Sequence, residues 1–254
     1  MPELPDLQVF SRNLTKELST RTLEKIVIRP ALKKEGTASG FKELEGQKLK
    51  EVYREGKELR FAFTKDVLGL HLMLHGKLYW AQHGVQPNTL FTMAFSKGKI
   101  LGLTDFQKLA KISLNPAPVE VPDALSKEMN TGRWAEILRS RAAVKNILLD
   151  QQQVRGIGNA YADEILWQAG ISPFAIANKI PPAAIKKLAA AVRKVLISAE
   201  KNILRKEPGI IGGEVRDFLV IHNPKLETSP TGERILQKTV GGRKTYYTNE
   251  QETF

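Results

Sequence analysis

The sequence predicts an α+β protein of several domains, in which an N-terminal helix and an antiparallel β-sandwich precede a helical domain and a terminal β-hairpin. Three observations support this fold class. Short strand patterns fill residues 22–116, helical periodicity dominates residues 134–204, and a Gly-Gly pair separates two alternating segments near the C-terminus. A hydrophobic content of 42% over 254 residues is enough for a sizeable core.

The first element is an amphipathic helix, predicted over Asp6 to Arg21 because leucine and phenylalanine side chains recur there at helical spacing. Short strands follow, separated by turns rich in Gly, Asn and Lys, as in an antiparallel sandwich or barrel. The predicted strands are Ile26 to Ile28, Lys48 to Phe63, Val67 to Leu74, Lys77 to Trp80, Leu90 to Phe95 and Ile100 to Leu103.

A proline-rich stretch, Asn115 to Asp123, separates the strand pattern from the helical pattern. Its three prolines suit neither a helix nor a central strand, which indicates a linker. We therefore predict an N-terminal sandwich domain at residues 1–118, a linker at 119–126, a helical domain at 127–218 and a C-terminal finger at 219–254.

The helical domain carries most of the positive charge. Residues 131–206 contain 13 Lys and Arg against 5 Asp and Glu, a net charge of +8 within a total of +12. This concentration favours a polyanionic partner, nucleic acid before an anionic membrane, although the charge could also serve only solubility. The predicted helices are Trp134 to Ser140, Ala142 to Asp150, Asn159 to Gln168 and Pro182 to Leu204.

The chain contains no cysteine, which excludes disulfides, thiolate zinc sites, iron–sulfur clusters and a cysteine nucleophile. Its first residues have neither the basic start nor the apolar run of a secretory signal, and no apolar run is long enough to span a membrane. We therefore expect a cytoplasmic protein, associated with the nucleoid if it is bacterial.

Gly156 to Asn159 joins two predicted helices, with Asn159 expected as the N-cap of the second. Glycines allow a close approach of the backbone, and N–H groups at a helix start bind phosphate. The segment is no dinucleotide fingerprint, because Tyr161 stands in place of the third glycine. A tight turn between helices is the alternative.

The N-terminus is a second candidate site. If Met1 is removed, Pro2 presents a secondary amine that can attack an aldehydic carbon. A neighbouring anion such as Glu3 favours the unreactive ammonium form, whereas a nearby lysine lowers the pKa of the amine. An ordinary exposed N-terminus is the alternative.

The third candidate is His71 to His75. Strand alternation predicts that Leu70, Leu72 and Leu74 face the core, while His71, Met73 and His75 face the other side. Met73 could then act as an apolar wedge in an opened base stack, or it could pack against the N-terminal helix. Two histidines without a third ligand do not indicate a metal site.

Four segments resemble, in chain order, motifs of the formamidopyrimidine-DNA glycosylase (Fpg/Nei) family: its N-terminus, its catalytic-lysine turn, its helix–two-turn–helix and its finger hairpin. These segments are Pro2 to Pro5, Arg54 to Lys57, Leu148 to Leu166 and Thr239 to Tyr247. The resemblance spans nearly the whole chain. It implies a bifunctional DNA glycosylase and AP lyase of base excision repair, a monomer that acts on damaged double-stranded DNA.

By this resemblance Pro2 attacks the sugar C1′ and forms a Schiff base, Glu3 serves as acid and base, and the strand is cut by β,δ-elimination. Lys57, Asn159 and Arg243 are expected to hold phosphates, and we add that Lys57 keeps Pro2 partly neutral. The expected DNA-contacting residues are His71, Met73, Gln107, Leu109, Gly158, Asn159, Tyr161 and Arg243.

The chain departs from the family's zinc finger, whose four cysteines correspond to Thr228, Thr231, Thr248 and Gln251. The resemblance is therefore to members with a zincless finger, and no cofactor is expected. Strand pairing and apolar contacts must hold the hairpin instead. The contributing residues are expected to be Ile235, Val240, Tyr246 and Tyr247.

Other departures bear on the substrate. Gln107 and Leu109 stand where the family has Arg and Phe, so the bidentate fork that reads an orphaned cytosine is missing. Asp6 and Gln8 replace two glutamates of the family. The segment after Phe218 is short where the family has a loop that closes over 8-oxoguanine, which favours ring-opened purines or oxidised pyrimidines.

Alternative functions come from other classes. A non-catalytic DNA-damage-binding paralogue would use the same basic face but would need to lose Pro2, Glu3 or Lys57, and all three are present. A ribosomal or RNA-binding protein would share only the helix–two-turn–helix. A glycosylase that prefers oxidised pyrimidines remains the alternative within the family.

Overall fold

The structure, a computed structural model, describes residues 1–254 except for the side chain of residue 38. The chain divides into two units. The first unit comprises Met1–Pro118 with Ile203–Glu214, and the second comprises Val119–Asn202 with Val215–Phe254. The sequence-based boundaries did not assign residues 203–214 to the first unit.

The first unit is an N-terminal helix with a β-sandwich. Its elements are α1 (Leu4–Leu18), β1 (Leu23–Ile28), β2 (Lys33–Glu35), α2 (Ala38–Lys42), β3 (Leu49–Glu55), β4 (Glu58–Phe63), β5 (Val67–His71), β6 (Lys77–Trp80), β7 (Thr89–Phe95), β8 (Lys99–Thr104) and β9 (Lys111–Leu114). One sheet has the strand order β1-β7-β8-β6 and the other β2-β9-β5-β4-β3. All pairs are antiparallel except β2 with β9.

The core of this unit lies where α1 and the two sheets meet, and fully buried Leu14, Phe61 and Phe91 belong to it. The apolar face of α1 predicted from periodicity is therefore the buried one, although the helix begins earlier and ends at Leu18. Burial of such side chains contributes roughly 1.5–3 kcal/mol each relative to exposure.

Two of the predicted strands run through turns in the structure. The run Lys48 to Phe63 is a hairpin rather than one strand, because Gly56 and Lys57 turn the chain between β3 and β4. The run Val67 to Leu74 ends at His71, where the chain leaves the sheet. Strands β2 and β9 and helix α2 were not predicted, since each is short and carries little periodicity.

The second unit is helical and ends in a hairpin. Its elements are α3 (Thr131–Ile137), α4 (Val144–Leu149), α5 (Asn159–Ala169), a 3₁₀ turn (Ala177–Lys179), α6 (Pro182–Lys206), β10 (Leu236–Val240) and β11 (Arg243–Tyr247). The last turn of α6 belongs to the first unit. Within the described residues, every helix is too short or too polar to cross a membrane.

The proline-rich stretch is tied to the second unit by Arg155. The backbone N–H of Arg155 donates to the carbonyl of Pro122 at 3.0 Å, and its guanidinium donates to the carbonyls of Val119 and Val121. Residues 119–122 are therefore held by hydrogen bonds in place of regular secondary structure.

Candidate functional site

The start of α1 fixes the first two candidate residues. Glu3 is the N-cap, and its backbone N–H donates to the carboxylate of Asp6 at 2.8 Å. Pro2, Glu3 and Asp6 are all buried. Asp6, whose role was open in the sequence, therefore satisfies one of the N–H groups that a helix start leaves without a partner.

Met1 precedes Pro2, and its amino group forms an ion pair with the carboxylate of Glu214. While Met1 is attached, the nitrogen of Pro2 is part of a peptide bond and has no nucleophilic lone pair. The chemistry expected of Pro2 therefore requires removal of Met1.

Lys57 lies in the tight turn between β3 and β4. Gly56 takes the left-handed conformation there, with φ +59°, which is costly for residues that have a Cβ. Arg54 connects this turn to α1: its Nε donates to Oε1 of Gln8 at 3.2 Å and its Nη1 donates to the carbonyl of Gly56 at 2.9 Å. Gln8 thus has a structural role in positioning the lysine turn.

His71 ends β5 and is mostly buried. Burial, together with the positive charges of Lys111 and Lys57, lowers the pKa of His71 to about 4. Its Nδ1 accepts a hydrogen bond from the backbone N–H of Met73 at 3.1 Å. The imidazole is therefore neutral at pH 7 and carries its proton on Nε2, which makes Nε2 the donor.

The predicted alternation of residues 70–75 fails after His71. Met73 has φ +53°, so the chain turns and the side chains no longer alternate between two faces of a strand. Leu72 is buried as expected, but Leu74 is 54% exposed, and the prediction that it joins the core is wrong. Met73 is half-buried in this turn.

Gln107 and Leu109 lie in the loop between β8 and β9. The buried carboxylate of Asp105 accepts hydrogen bonds from the backbone N–H groups of Gln107, Leu109 and Ala110 at 2.7–2.9 Å. Gln107 is exposed and Leu109 is half-buried. The loop therefore presents Gln107 from a braced backbone.

In the second unit, Gly158 rather than Asn159 is the N-cap of α5. The prediction that Asn159 caps this helix is wrong, because Asn159 already lies in the first turn. Its Nδ2 instead donates to the carbonyl of Lys244 in β11 at 2.8 Å. Asn159 thus ties the helix start to the hairpin strand.

Tyr161 is fully buried, so its side chain cannot contact DNA directly in this conformation, contrary to the expectation from the sequence. Its hydroxyl accepts a hydrogen bond from Nη1 of Arg216 at 3.1 Å, and the guanidinium lies 5.0 Å from the ring centroid. Tyr161 therefore supports Arg216, a residue that sequence reasoning did not single out.

The hairpin of β10 and β11 turns at Gly241 and Gly242, which have φ +56° and +75°, as the predicted Gly-Gly turn requires. Arg243 is the first residue of β11 and is exposed. Tyr246 is buried edge-on against His222, with ring centroids 4.8 Å apart, whereas Val240 is 39% exposed.

A buried polar network anchors β11. Nζ of Lys145 lies 2.7 Å from the carboxylate of Asp163 and donates to Oγ1 of Thr245 at 2.8 Å. The other oxygen of Asp163 lies 2.7 Å from Nδ1 of His222 and accepts the backbone N–H of Tyr246 at 3.0 Å. Sequence reasoning missed this pair; the available signal was a charged residue among the apolar residues of each of two short helices.

Glu164, the neighbour of Asp163, holds the segment that follows Phe218. Its carboxylate accepts the backbone N–H groups of Val220, Ile221 and His222 at 2.8–3.2 Å. Burial raises the pKa of Glu164, and the three hydrogen bonds oppose that rise. The short segment noted in the sequence is therefore fastened to α5.

Three of the four positions that correspond to the family's zinc ligands, Thr231, Thr248 and Gln251, belong to a hydrogen-bonded network. Thr231 and Thr248 donate through their hydroxyls to the carboxylate of Glu250 at 2.9 and 3.1 Å, and Nε1 of Trp167 donates to it at 2.8 Å. Partial burial tends to raise the pKa of Glu250, but these hydrogen bonds bring it below its usual value. Gln251 accepts the backbone N–H of Thr248 at 2.8 Å.

Three threonines and a glutamine supply no thiolate or imidazole, so these residues do not fit a zinc ion. Across the described part of the chain, no three His, Cys, Asp or Glu side chains are grouped so that they could hold a metal.

Comparison with known proteins gives consistent matches along the chain. Residues 1–112 match the model of the formamidopyrimidine-DNA glycosylase N-terminal domain, and residues 121–206 match that of the formamidopyrimidine-DNA glycosylase H2TH domain. The chain is 30% identical to the formamidopyrimidine-DNA glycosylase of Pelotomaculum thermopropionicum, with 97% of each chain covered. It is also 30% identical to that of Bacillus cereus strain ATCC 14579, again over 97% of each chain.

Solved structures of similar fold include complexes of Lactococcus lactis Fpg. A complex with a THF-DNA and an inhibitor and one with abasic-site DNA each superpose with a TM-score of 0.87 at 26% identity, covering 99% of this chain and 100% of the other. A complex with DNA containing an oxidised pyrimidine has a TM-score of 0.86 at 27% identity, covering 97% and 98%.

Proposed function

Because the chain belongs to the formamidopyrimidine-DNA glycosylase family and is thus a DNA glycosylase of base excision repair, we propose that it is also an AP lyase that works through a Schiff base on Pro2. Its partner is damaged DNA, as in the solved complexes of its structural neighbours. We further propose that it removes oxidised bases as a monomer in the cytoplasm.

The proposed chemistry starts with the neutral amine of Pro2 after Met1 has been removed. Its lone pair attacks C1′ of the extruded nucleotide, and the bond from C1′ to the base breaks with its electrons leaving on the base. The departing base takes up the proton that the Pro2 nitrogen gives up. Opening of the sugar ring, with Glu3 giving a proton to the ring oxygen, leaves an iminium ion. Loss of a C2′ proton then expels the 3′ phosphate, a second elimination expels the 5′ phosphate, and water releases the sugar fragment.

The observation that carries this proposal is the way the first unit holds Pro2 and Glu3. Both are buried at the rigid start of α1, where Asp6 accepts the N–H of Glu3. The helix is in turn linked to the Lys57 turn through Arg54. The helix start thus holds a nucleophile and an acid in fixed positions, and the hydrogen-bonded turn holds a cation. This arrangement supports an enzyme that reacts covalently with DNA better than it supports a protein that only binds DNA.

The remaining proposed DNA contacts follow from exposure and charge. Arg243, at the tip of the hairpin, and Asn159 are proposed to bind phosphate, and the backbone at Gly158 is proposed to approach phosphates at the start of α5. Lys57 of the first unit is separately proposed to bind phosphate. His71 is proposed to donate from Nε2. Met73, Gln107 and Leu109 are proposed to fill the space left by the extruded base.

We propose that the finger is zincless, with the Glu250 network and the anchored strand β11 replacing the metal. The support is the set of hydrogen bonds that Thr231, Thr248 and Trp167 make to Glu250. A chelator is therefore expected to change neither DNA binding nor strand cleavage.

The covalent step is tested by borohydride reduction on DNA that contains an abasic site. The processed chain, with loss of Met1 verified by intact mass, is expected to give a trapped protein–DNA adduct. A form with a Gly-Ser extension ahead of Pro2 keeps the proline ring but turns its nitrogen into an amide, and it should give none. Equal trapping by both forms would show that another group is the nucleophile.

The lesion preference is tested by comparing excision rates. The segment after Phe218 is short and fastened by Glu164, so no long loop is available to close over 8-oxoguanine. Ring-opened purines or oxidised pyrimidines are expected to be removed several-fold faster, and an L. lactis Fpg complex with oxidised pyrimidine DNA has a similar structure. If 8-oxoguanine opposite cytosine were the best substrate, this preference would be refuted.

A further inference from the structure

Phe106 has no role in the proposed chemistry. It precedes Gln107 in the same loop, and it is the most exposed large apolar side chain among the described residues of the first unit. It is 60% exposed, and Leu74 in the neighbouring turn is 54% exposed. The ring of His75 joins the two turns, because its centroid lies 4.5 Å from that of Phe106 at an interplanar angle of 46°. Isolated exposed apolar residues are ordinary, but two that are bridged by a ring form a surface.

Both turns hold their side chains outward through a fixed backbone. Asp105 accepts three backbone N–H groups on one side of Phe106, and its own N–H donates to the carbonyl of Asn88 at 3.1 Å. In the other turn Met73 has φ +53°, a left-handed conformation that is strained for a residue with a side chain. The turn at Asp105 is held by hydrogen bonds and the turn at Met73 is strained, yet both expose apolar side chains. This combination indicates a surface that binds a partner.

The charge around this surface identifies the partner. Lys77 and Lys108 are exposed and follow His75 and Phe106 by two residues in the chain, whereas the only acid of the two turns, Asp105, is buried and accepts backbone N–H groups. A flat aromatic ring with lysines nearby in the chain suits a nucleotide of DNA. The base can stack on the ring, and the lysines can bind the phosphates of the DNA backbone.

Resting on the proposed function, the geometry points to Phe106 as a stacking platform for the base that stays in the duplex opposite the extruded nucleotide. Phe106 lies next to Gln107, which has no guanidinium with which to read that base. Stacking on an aromatic ring accepts every base, because each has a π face. The enzyme therefore tolerates all four opposite bases, with Phe106 supplying affinity in place of hydrogen-bonded readout.

The test measures binding of the processed full-length chain to duplexes with an uncleavable abasic analogue opposite each of the four bases. Phe106→Ala is expected to weaken binding about tenfold and by a similar factor for all four. Phe106→Tyr should restore it. Val85→Ala removes a side chain that is 58% exposed in the same unit and should change binding less than twofold.

Binding by Phe106→Ala equal to that of the wild type would overturn the inference, and so would a loss confined to one opposite base. A 2-aminopurine placed opposite the abasic analogue gives a second readout: its fluorescence should be quenched by the wild type and less by Phe106→Ala. Borohydride trapping by the wild type is scored separately. If trapping fails while the Phe106 effect persists, the lyase proposal falls and the stacking role stands.

Discussion

Single side chains at positions 6, 8 and 54 decide how the candidate nucleophile is held. Asp6 fastens the backbone of Glu3, and Arg54 joins Gln8 to the turn that presents Lys57. Two of these residues are departures from the family pattern that the sequence left without a role. Asp6 and Gln8 each supply an oxygen that accepts the local hydrogen bond. The shorter side chain of Asp6 and the uncharged side chain of Gln8 therefore still hold the backbone of Glu3 and the guanidinium of Arg54.

The imidazole of His71 makes stability depend on pH. Its folded pKa of about 4 lies below the unfolded value of 6.5, so the unfolded chain binds the proton first as pH falls. The stabilisation is present above pH 6.5 and is lost as the pH falls toward 4. Between pH 7.5 and pH 5 the wild type should lose about 2 kcal/mol of unfolding free energy more than His71→Gln.

Urea unfolding at the two pH values measures this difference. His83→Gln, which changes an exposed histidine of the same unit, is the matched control and should behave like the wild type. Equal losses in the wild type and His71→Gln would contradict the assignment of a buried neutral imidazole.

The charge of Lys57 is expected to keep the amine of Pro2 partly neutral, because a nearby cation disfavours the ammonium form. The same positive charge contributes to the lowered pKa of His71. Lys57→Met should shift the acidic limb of the pH–rate profile for strand cleavage to higher pH by about half a unit or more. Lys50→Met, at an exposed position of β3, should leave the profile in place; an unmoved profile in Lys57→Met would rule out this role.

At the scale of elements, the hairpin of β10 and β11 depends on helices that are distant in sequence. Lys145 of α4 and Asp163 of α5 form a buried ion pair beneath β11, and Asn159 donates to the strand from the start of α5. An exposed two-stranded hairpin is marginal by itself, so these contacts fix the strand that carries Arg243.

Lys145→Met should therefore be strongly destabilising, because it leaves the Asp163 carboxylate buried without its cation. The expected loss is about 3–5 kcal/mol, and Lys145→Met with Asp163→Leu should recover part of it. Thermal or urea unfolding measures both variants. Arg133→Met breaks an exposed ion pair with Glu136 and should cost less than about 1 kcal/mol; similar losses at both sites would mean that burial is not what matters.

At the scale of the whole molecule, the net charge of +12 predicts DNA binding that weakens as the salt concentration rises. If the protein neutralises roughly 6–10 phosphates, affinity for an abasic-analogue duplex should fall at least about 10³-fold between 50 and 200 mM salt. Fluorescence anisotropy over a salt series measures the slope. Non-specific duplex should show a similar slope at lower affinity, and a slope near zero would exclude a phosphate-dominated interface.

The sequence by itself determined the family resemblance, the α+β class, the Gly-Gly hairpin and the set of candidate residues at the N-terminus and in the lysine turn. These features depend on residues that are neighbours in the chain: turn chemistry, helical spacing and the absence of cysteine are all local properties. Only the tertiary structure decided that Leu74 points outward, that Tyr161 is buried and that Gly158 caps α5. It also decided that Lys145 contacts Asp163 and that His75 contacts Phe106. Such contacts join residues that are far apart in sequence. They also depend on backbone conformations, such as the positive φ of Met73, which no local sequence pattern specifies.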